Sequence, residues 1–450
     1  MAQVAIERHR LENGLRVILA PDRQAPIVAI NLWYDVGSKH EKPSKTGFAH
    51  LFEHMMFQGS EHVAKGEHFS LIQAAGGTLN ASTWFDRTNY FETLPSHELE
   101  LALWLESDRM AHLLPAMDQE KLDNQREVVK NERRWSVDNQ PYGTWDEKLG
   151  ELLYPPSHPY HHPTIGSMED LSAASLDDVR DFFATYYAPN NAVLTIAGDL
   201  EPAAALAAAE RHFGPIRANA DLPDPPDVRL DPRLGSEKRE IVPDRVPLPR
   251  IYAGFRVPPF GSEGFESIEV AADLLASGRA SRLYRVLVRE TRLAQDVTVS
   301  ALPFVGGAAM LVLWVTASPG VATDVLEGAL FAEIDRLSAD GPGDEELERV
   351  RNLHGAAVEA SLERVGERAD RLSMYACLFD RPELVNSEVE RYRAVDAARV
   401  RDTLRAYVGA DNRVVLTYVP AEGAEVGAEA DAAAGTQAAA EERPEPEVGA

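Results

Sequence analysis

The sequence predicts an α+β fold made of two homologous sheet-and-helix sandwich domains, on three observations. Alternating apolar runs over 12–20, 27–36 and 85–94 read as strands. Helical periodicity over 46–58, 97–113, 118–137, 168–187 and 201–212 supplies the second layer. The third observation is a repeat. The run Ile27-Val-Ala-Ile-Asn-Leu-Trp-Tyr has a counterpart in Arg250-Ile-Tyr-Ala-Gly-Phe-Arg-Val, with Asn31 and Tyr252 separated by 221 positions. The run Asn191-Ala-Val-Leu-Thr-Ile has a counterpart in Asn412-Arg-Val-Val-Leu-Thr, again 221 positions on. A common offset at both ends predicts a duplicated unit of roughly 200 residues.

Composition sets the boundaries. Pro223, Pro225, Pro226 and Pro232 stand among acids and read as a linker. The expected organisation is 1–220, carrying the chemistry, a linker at 221–240, a second domain at 241–420 and an acidic tail at 421–450. The tail has eight acids, one arginine and almost no large apolar residue, so it is expected to be disordered.

The formal charge of −27, of which the tail holds −7, disfavours nucleic acid and anionic membranes. It suits basic ligands. No apolar run approaches the ~18 residues of a membrane span. The single cysteine, Cys377, excludes an internal disulfide framework and a cysteine-built zinc cluster. It points to a reducing compartment, the cytoplasm, with the periplasm as the alternative if a leader has been trimmed.

The first predicted helix contains His50-Leu-Phe-Glu53-His54. At 100° per residue, both imidazoles and the glutamate fall on one side, so the two histidines can ligate one ion while Glu53 serves as a base. Chance alone gives roughly 0.06 such matches in a chain of this composition, so the pentapeptide is suggestive and its context matters. Phe48, Leu51, Phe52, Met56 and Phe57 surround it with apolar surface, and buried polar groups need partners.

A catalytic zinc takes three protein ligands and keeps an open position. On the segment 118–139, Leu122, Gln125, Val128, Val129 and Glu132 share one face. Glu132 thus points towards the core, where it either coordinates or pairs with a buried arginine, and is the candidate third ligand. The offset of 221 carries His50, Glu53 and His54 onto Ala271, Leu274 and Leu275, so the second copy is expected to lack metal. His158, His161 and His162 read as proline-set loop structure.

The inverted His-x-x-Glu-His with Glu132 resembles the pitrilysin/insulin-degrading-enzyme family of zinc peptidases. Leu11-Glu-Asn-Gly-Leu-Arg-Val, Asn80-Ala-Ser-Thr, Arg126-Glu-Val-Val-Lys-Asn-Glu and Ser281-Arg-Leu-Tyr strengthen the resemblance. It is similar to the branch that includes mitochondrial processing peptidase β subunits and their bacterial relatives. The resemblance implies half of a clam-shell chamber. It also implies one zinc ion held by His50, His54 and Glu132, with Glu53 as general base, and a peptide added as a strand beside Asn80 and Ala81. Gln125 stands where many members carry an acid behind the metal. Arg289 matches the arginine of an arginine–tyrosine pair that grips the scissile carbonyl, but no tyrosine follows seven residues later.

The expected activity is therefore that of a metalloendopeptidase subunit, acting on peptides that include basic ones. Its expected partner is a homologous chain in a heterodimer, with a homodimer as the second choice. The rival reading is a non-proteolytic assembly or chaperone-like subunit that retains zinc.

Overall fold

A computed structural model describes residues 3–421; residues 422–450, nearly all of the acidic tail, lie outside the described residues. The strands are β1 (Glu7–Arg10), β2 (Arg16–Pro21), β3 (Ile27–Tyr34), β4 (Thr78–Thr83), β5 (Thr88–Pro95), β6 (Ala192–Gly198), β7 (Lys238–Asp244), β8 (Arg250–Val257), β9 (Ala294–Leu302), β10 (Ala309–Ala317) and β11 (Val414–Pro420). They form two sheets, ordered β1-β2-β6-β3-β5-β4 and β7-β11-β8-β10-β9. Apart from β1, the second order repeats the first. The registers repeat too: Asn31 lies opposite Thr195, and 221 positions on Tyr252 lies opposite Leu416.

The helices of the first half are α1 (Phe48–Met55), α2 (Glu67–Ala74), α3 (Leu99–Ala116), α4 (Gln119–Arg133), α5 (Trp145–Leu153), α6 (Met168–Ala173), α7 (Leu176–Tyr186) and α8 (Pro202–Phe213). Those of the second half are α9 (Glu263–Ala276), α10 (Thr323–Asp340), α11 (Asp344–Glu363), α12 (Val365–Phe379), α13 (Glu388–Arg393) and α14 (Ala397–Tyr407). Displacing α7 by 221 positions gives the bounds of α14. The helix predicted over 168–187 is two helices. Ser175 accepts from the N–H of Asp178 while Asp178 accepts from that of Ser175, a reciprocal cap that starts a new helix after Ala174.

Each sheet is covered on one face by helices of its own half and on the other by a helix of the opposite half. α5 belongs to the first half, yet its buried Leu149 and Leu153 pack on Gly254 of the second sheet, where an added Cβ would lie 3.1 and 2.9 Å from them, and Trp145 stacks on Tyr252. α12 belongs to the second half, yet Ala369, Leu372 and Ala376 are buried against Ala29, Trp33, Val193 and Ala197 of the first. Moving 145–153 by 221 positions gives 366–374, inside α12, so the exchange is reciprocal. Each fully buried leucine contributes about 1.5–3 kcal/mol, so each half is stabilised by the other.

The connection between the halves carries no helix or strand from 214 to 237, but it is fastened. Val228 is buried and its carbonyl accepts from His158 Nε2 at 3.0 Å, while Asn190 donates to the carbonyl of Asn219 at 2.8 Å. His161 Nδ1 faces the Tyr154 carbonyl at 2.9 Å. These histidines hold loop backbone, and none belongs to a group with metal-ligand spacing among the described residues. No helix among the described residues is long and apolar enough to cross a membrane.

Candidate metal centre

α1 is short, and its entry is fixed from both sides. Gly47 precedes it at φ +86°, and Gly166 approaches so closely that a Cβ on Gly166 would lie 2.4 Å from the Gly47 Cα. The Glu41 carboxylate accepts from the backbone N–H groups of Gly47 at 2.8 Å and Ala49 at 2.7 Å, which satisfies donors that a helix start leaves open. Phe48, Leu51, Phe52 and Met55 are buried on the inner side of the helix, which turns His50, Glu53 and His54 towards α4 and β4.

α4 brings the remaining carboxylate. Leu122 and Val129 are buried, and Glu132 lies on the same side. Val128 is not buried: it is 40% exposed. It stands at the rim of the predicted face, about 100° from Val129, so the helix rolls it out to solvent. The ligand atoms of His50, His54 and Glu132 all lie within 4.8 Å of one another. Glu132 Oε2 is 3.7 Å from His50 Nε2 and 3.3 Å from His54 Nε2, and the two rings meet edge to face at 4.8 Å. Burial opposes a charged His54 ring, but the Glu132 hydrogen bond and charge, with smaller contributions from Glu53 and Gln125, hold its pKa above the ordinary value.

The donor set suits zinc. Ligands at 2.0–2.2 Å around a tetrahedral ion lie about 3.4 Å from each other, close to the two separations seen here. Two imidazoles and a carboxylate are a zinc donor set. Both histidines face the Glu132 carboxylate.

Glu53 leaves the ligand cluster for the sheet. Its Oε2 accepts from Thr83 Oγ1 at 2.6 Å. Thr83 was not singled out in the sequence, although strand parity places it on the same face as Ala81, which is buried with α1. Gln125 is buried, donates to Asn124 at 2.9 Å and lies against His54. Asn80 and Ala81 lie on β4, which ends the first sheet and leaves one edge unpaired. There Asn80 Oδ1 accepts from the Ala81 N–H at 2.8 Å.

Arg289 is exposed on a π-helical segment, Tyr284–Glu290, that packs on β9 and α10, and it takes no part in this group. In the second half, Ala271, Leu274 and Leu275 of α9 are buried in the apolar core.

Two family models match the chain, one described as Insulinase (Peptidase family M16) over residues 16–151 and one as Peptidase M16 inactive domain over 173–353. A zinc protease of Helicobacter pylori, PqqE, is 27% identical over 379 residues, covering 83% of this chain and 84% of the relative. The crystal structure of a protease from Helicobacter pylori superposes with a TM-score of 0.87 at 25% identity, covering 93% of this chain and all of that one. The periplasmic protease PqqL of Escherichia coli shares the fold at a TM-score of 0.74 and 19% identity, and this chain spans 48% of it.

Proposed function

The chain belongs to the insulinase family, peptidase family M16, and from that premise we propose that it is a zinc-dependent metalloendopeptidase subunit. The observation that carries the proposal is the meeting of His50, His54 and Glu132 at zinc-ligand spacing, with Glu53 beside them and turned to the edge strand. In this reading the three side chains hold one zinc ion, which supplies the Lewis acidity that polarises a peptide carbonyl and makes water a nucleophile at neutral pH.

The chain's own groups do the rest. Glu53 takes the proton from the attacking water and returns one to the leaving amine. The Thr83 hydroxyl, donating to Oε2, fixes the rotamer of Glu53 and leaves Oε1 for that proton. Gln125 orients the His54 ring from behind. The free edge of β4 adds the peptide as a further strand, which reads backbone more than sequence. The net charge favours basic peptides.

One chain supplies one wall of a chamber. Arg289 stands away from the site, and the chain spans about half of a longer protease of the same fold. The opposite wall is assigned to a homologous chain in a heterodimer, with a second copy of this chain as the other arrangement. An assembly role that retains zinc would leave Glu53 without a task. The test is zinc content and peptide cleavage measured together. Glu53→Gln should keep zinc and lose cleavage, and His54→Ala should lose both. Cleavage that survives Glu53→Gln would refute the assignment.

A further inference from the structure

We propose that Glu61, His62 and His112 form a second divalent-cation site, of zinc-like chemistry, on the outer side of the first half. Their ligand atoms lie within 4.8 Å of one another. The rings of His62 and His112 meet edge to face at 4.9 Å, and His112 Nδ1 is 3.1 Å from Glu61 Oε2.

Three features distinguish this group from chance surface pairing. First, α3 is interrupted at His112, where φ is −127° and ψ is 16°. The His112 carbonyl then accepts from the Glu61 N–H at 3.0 Å, so backbone and not only side chains hold the two segments in register. Second, His62 is oriented from behind. Its Nδ1 lies 2.6 Å from Asp108 Oδ1, and Asp108, 3% exposed, also accepts from the Ser60 hydroxyl through Oδ2. A carboxylate on Nδ1 fixes the tautomer that presents Nε2 to a cation, the arrangement that metal-binding histidines use. Third, two cations that line the same cleft are engaged elsewhere: Arg211 and His212 both face Glu100.

The contrast is the buried group His68, Glu92 and Glu106. There the Arg109 guanidinium already neutralises Glu106, and no cation is needed. Two imidazoles and one carboxylate, half open to water, give the second site the donor types of the first without its enclosure. It therefore binds more weakly. Occupancy clamps the 58–63 loop, which follows directly on α1, to the break in α3.

The experiment titrates the full chain, already carrying one equivalent of zinc, with further zinc, and follows heat of binding and melting temperature. A second equivalent should bind and raise the melting temperature. His62→Ala/His112→Ala should abolish that equivalent and keep the first, and Asp108→Asn should weaken it about 10- to 100-fold. The same second equivalent should persist in His54→Ala, which removes the first. Absence of a second equivalent at millimolar zinc would overturn the proposal, as would one that survives His62→Ala/His112→Ala. Both readouts follow metal alone, so the outcome does not depend on peptide cleavage.

Discussion

Replacing Gly166 by alanine tests how α1 is held. The residue has φ +74°, and its new Cβ would lie 2.4 Å from both the N and Cα of Gly47. Backbone atoms cannot rotate away, so one segment must move by the better part of an ångström. Gly320 is the control, since it has φ +77° and nothing within 4 Å of a Cβ. Gly320→Ala should cost only the left-handed conformation, about 1–2 kcal/mol. Gly166→Ala adds overpacking of about 1–3 kcal/mol, for a total of about 2–5 kcal/mol. Urea unfolding of both variants reads the difference. Because the displaced segment opens the helix that bears His50 and His54, zinc affinity should fall in Gly166→Ala and hold in Gly320→Ala. Equal destabilisation of the two variants, with zinc affinity intact in both, would show that the Gly47–Gly166 approach does not hold α1 in place.

Other outcomes follow from the same geometry. Thr83→Val removes a hydrogen bond to a charged group, worth about 1.5–3 kcal/mol, so cleavage should fall at least tenfold with zinc content unchanged; loss of zinc would show that Thr83 supports the ligands instead. Residues 1–220 expressed alone should not give a stable fold, because without α12 the face of β3 and β6 bearing Trp33 and Val193 is bare; a cooperative unfolding transition in that fragment would contradict the exchange. Burial, with the neighbouring Lys39 charge, lowers the His40 pKa to about 3, so the folded ring stays neutral where the unfolded one takes a proton. Its contribution is therefore complete above the unfolded value of 6.5 and is lost as pH falls towards 3, by at most ~1.4 kcal/mol per unit. His40→Asn, which keeps an acceptor near Gly37, should flatten the acid limb of the stability curve measured from pH 7 to 5. Burial pushes the Cys377 thiol up to about 12, so alkylation at pH 8 should await unfolding; fast labelling of the folded chain would place Cys377 at the surface.

Much of this architecture was legible in the sequence because duplication leaves a constant offset. The 221 positions between Asn31 and Tyr252 reappear in the registers and place α9 as the counterpart of α1, with apolar Ala271, Leu274 and Leu275 at the positions of His50, Glu53 and His54. The exchange of α5 and α12 was not legible. Leu149 and Leu372 announce an apolar helix face, but nothing local says which sheet it meets. The meeting of His50, His54 and Glu132 followed from periodicity, which is robust near the centre of a helix face and weak at its rim, as Val128 shows. Thr83 was hidden because a hydroxyl on a strand acquires meaning only when the strand is set against a particular helix.

The proposed mechanism stands on one zinc ion held by His50, His54 and Glu132. Anomalous diffraction at the zinc edge, from crystals grown with one equivalent of metal, tests it most directly. A single strong peak is expected about 2.0–2.2 Å from a nitrogen of each histidine and an oxygen of Glu132. A strong peak elsewhere, or none beside these three side chains, would contradict it.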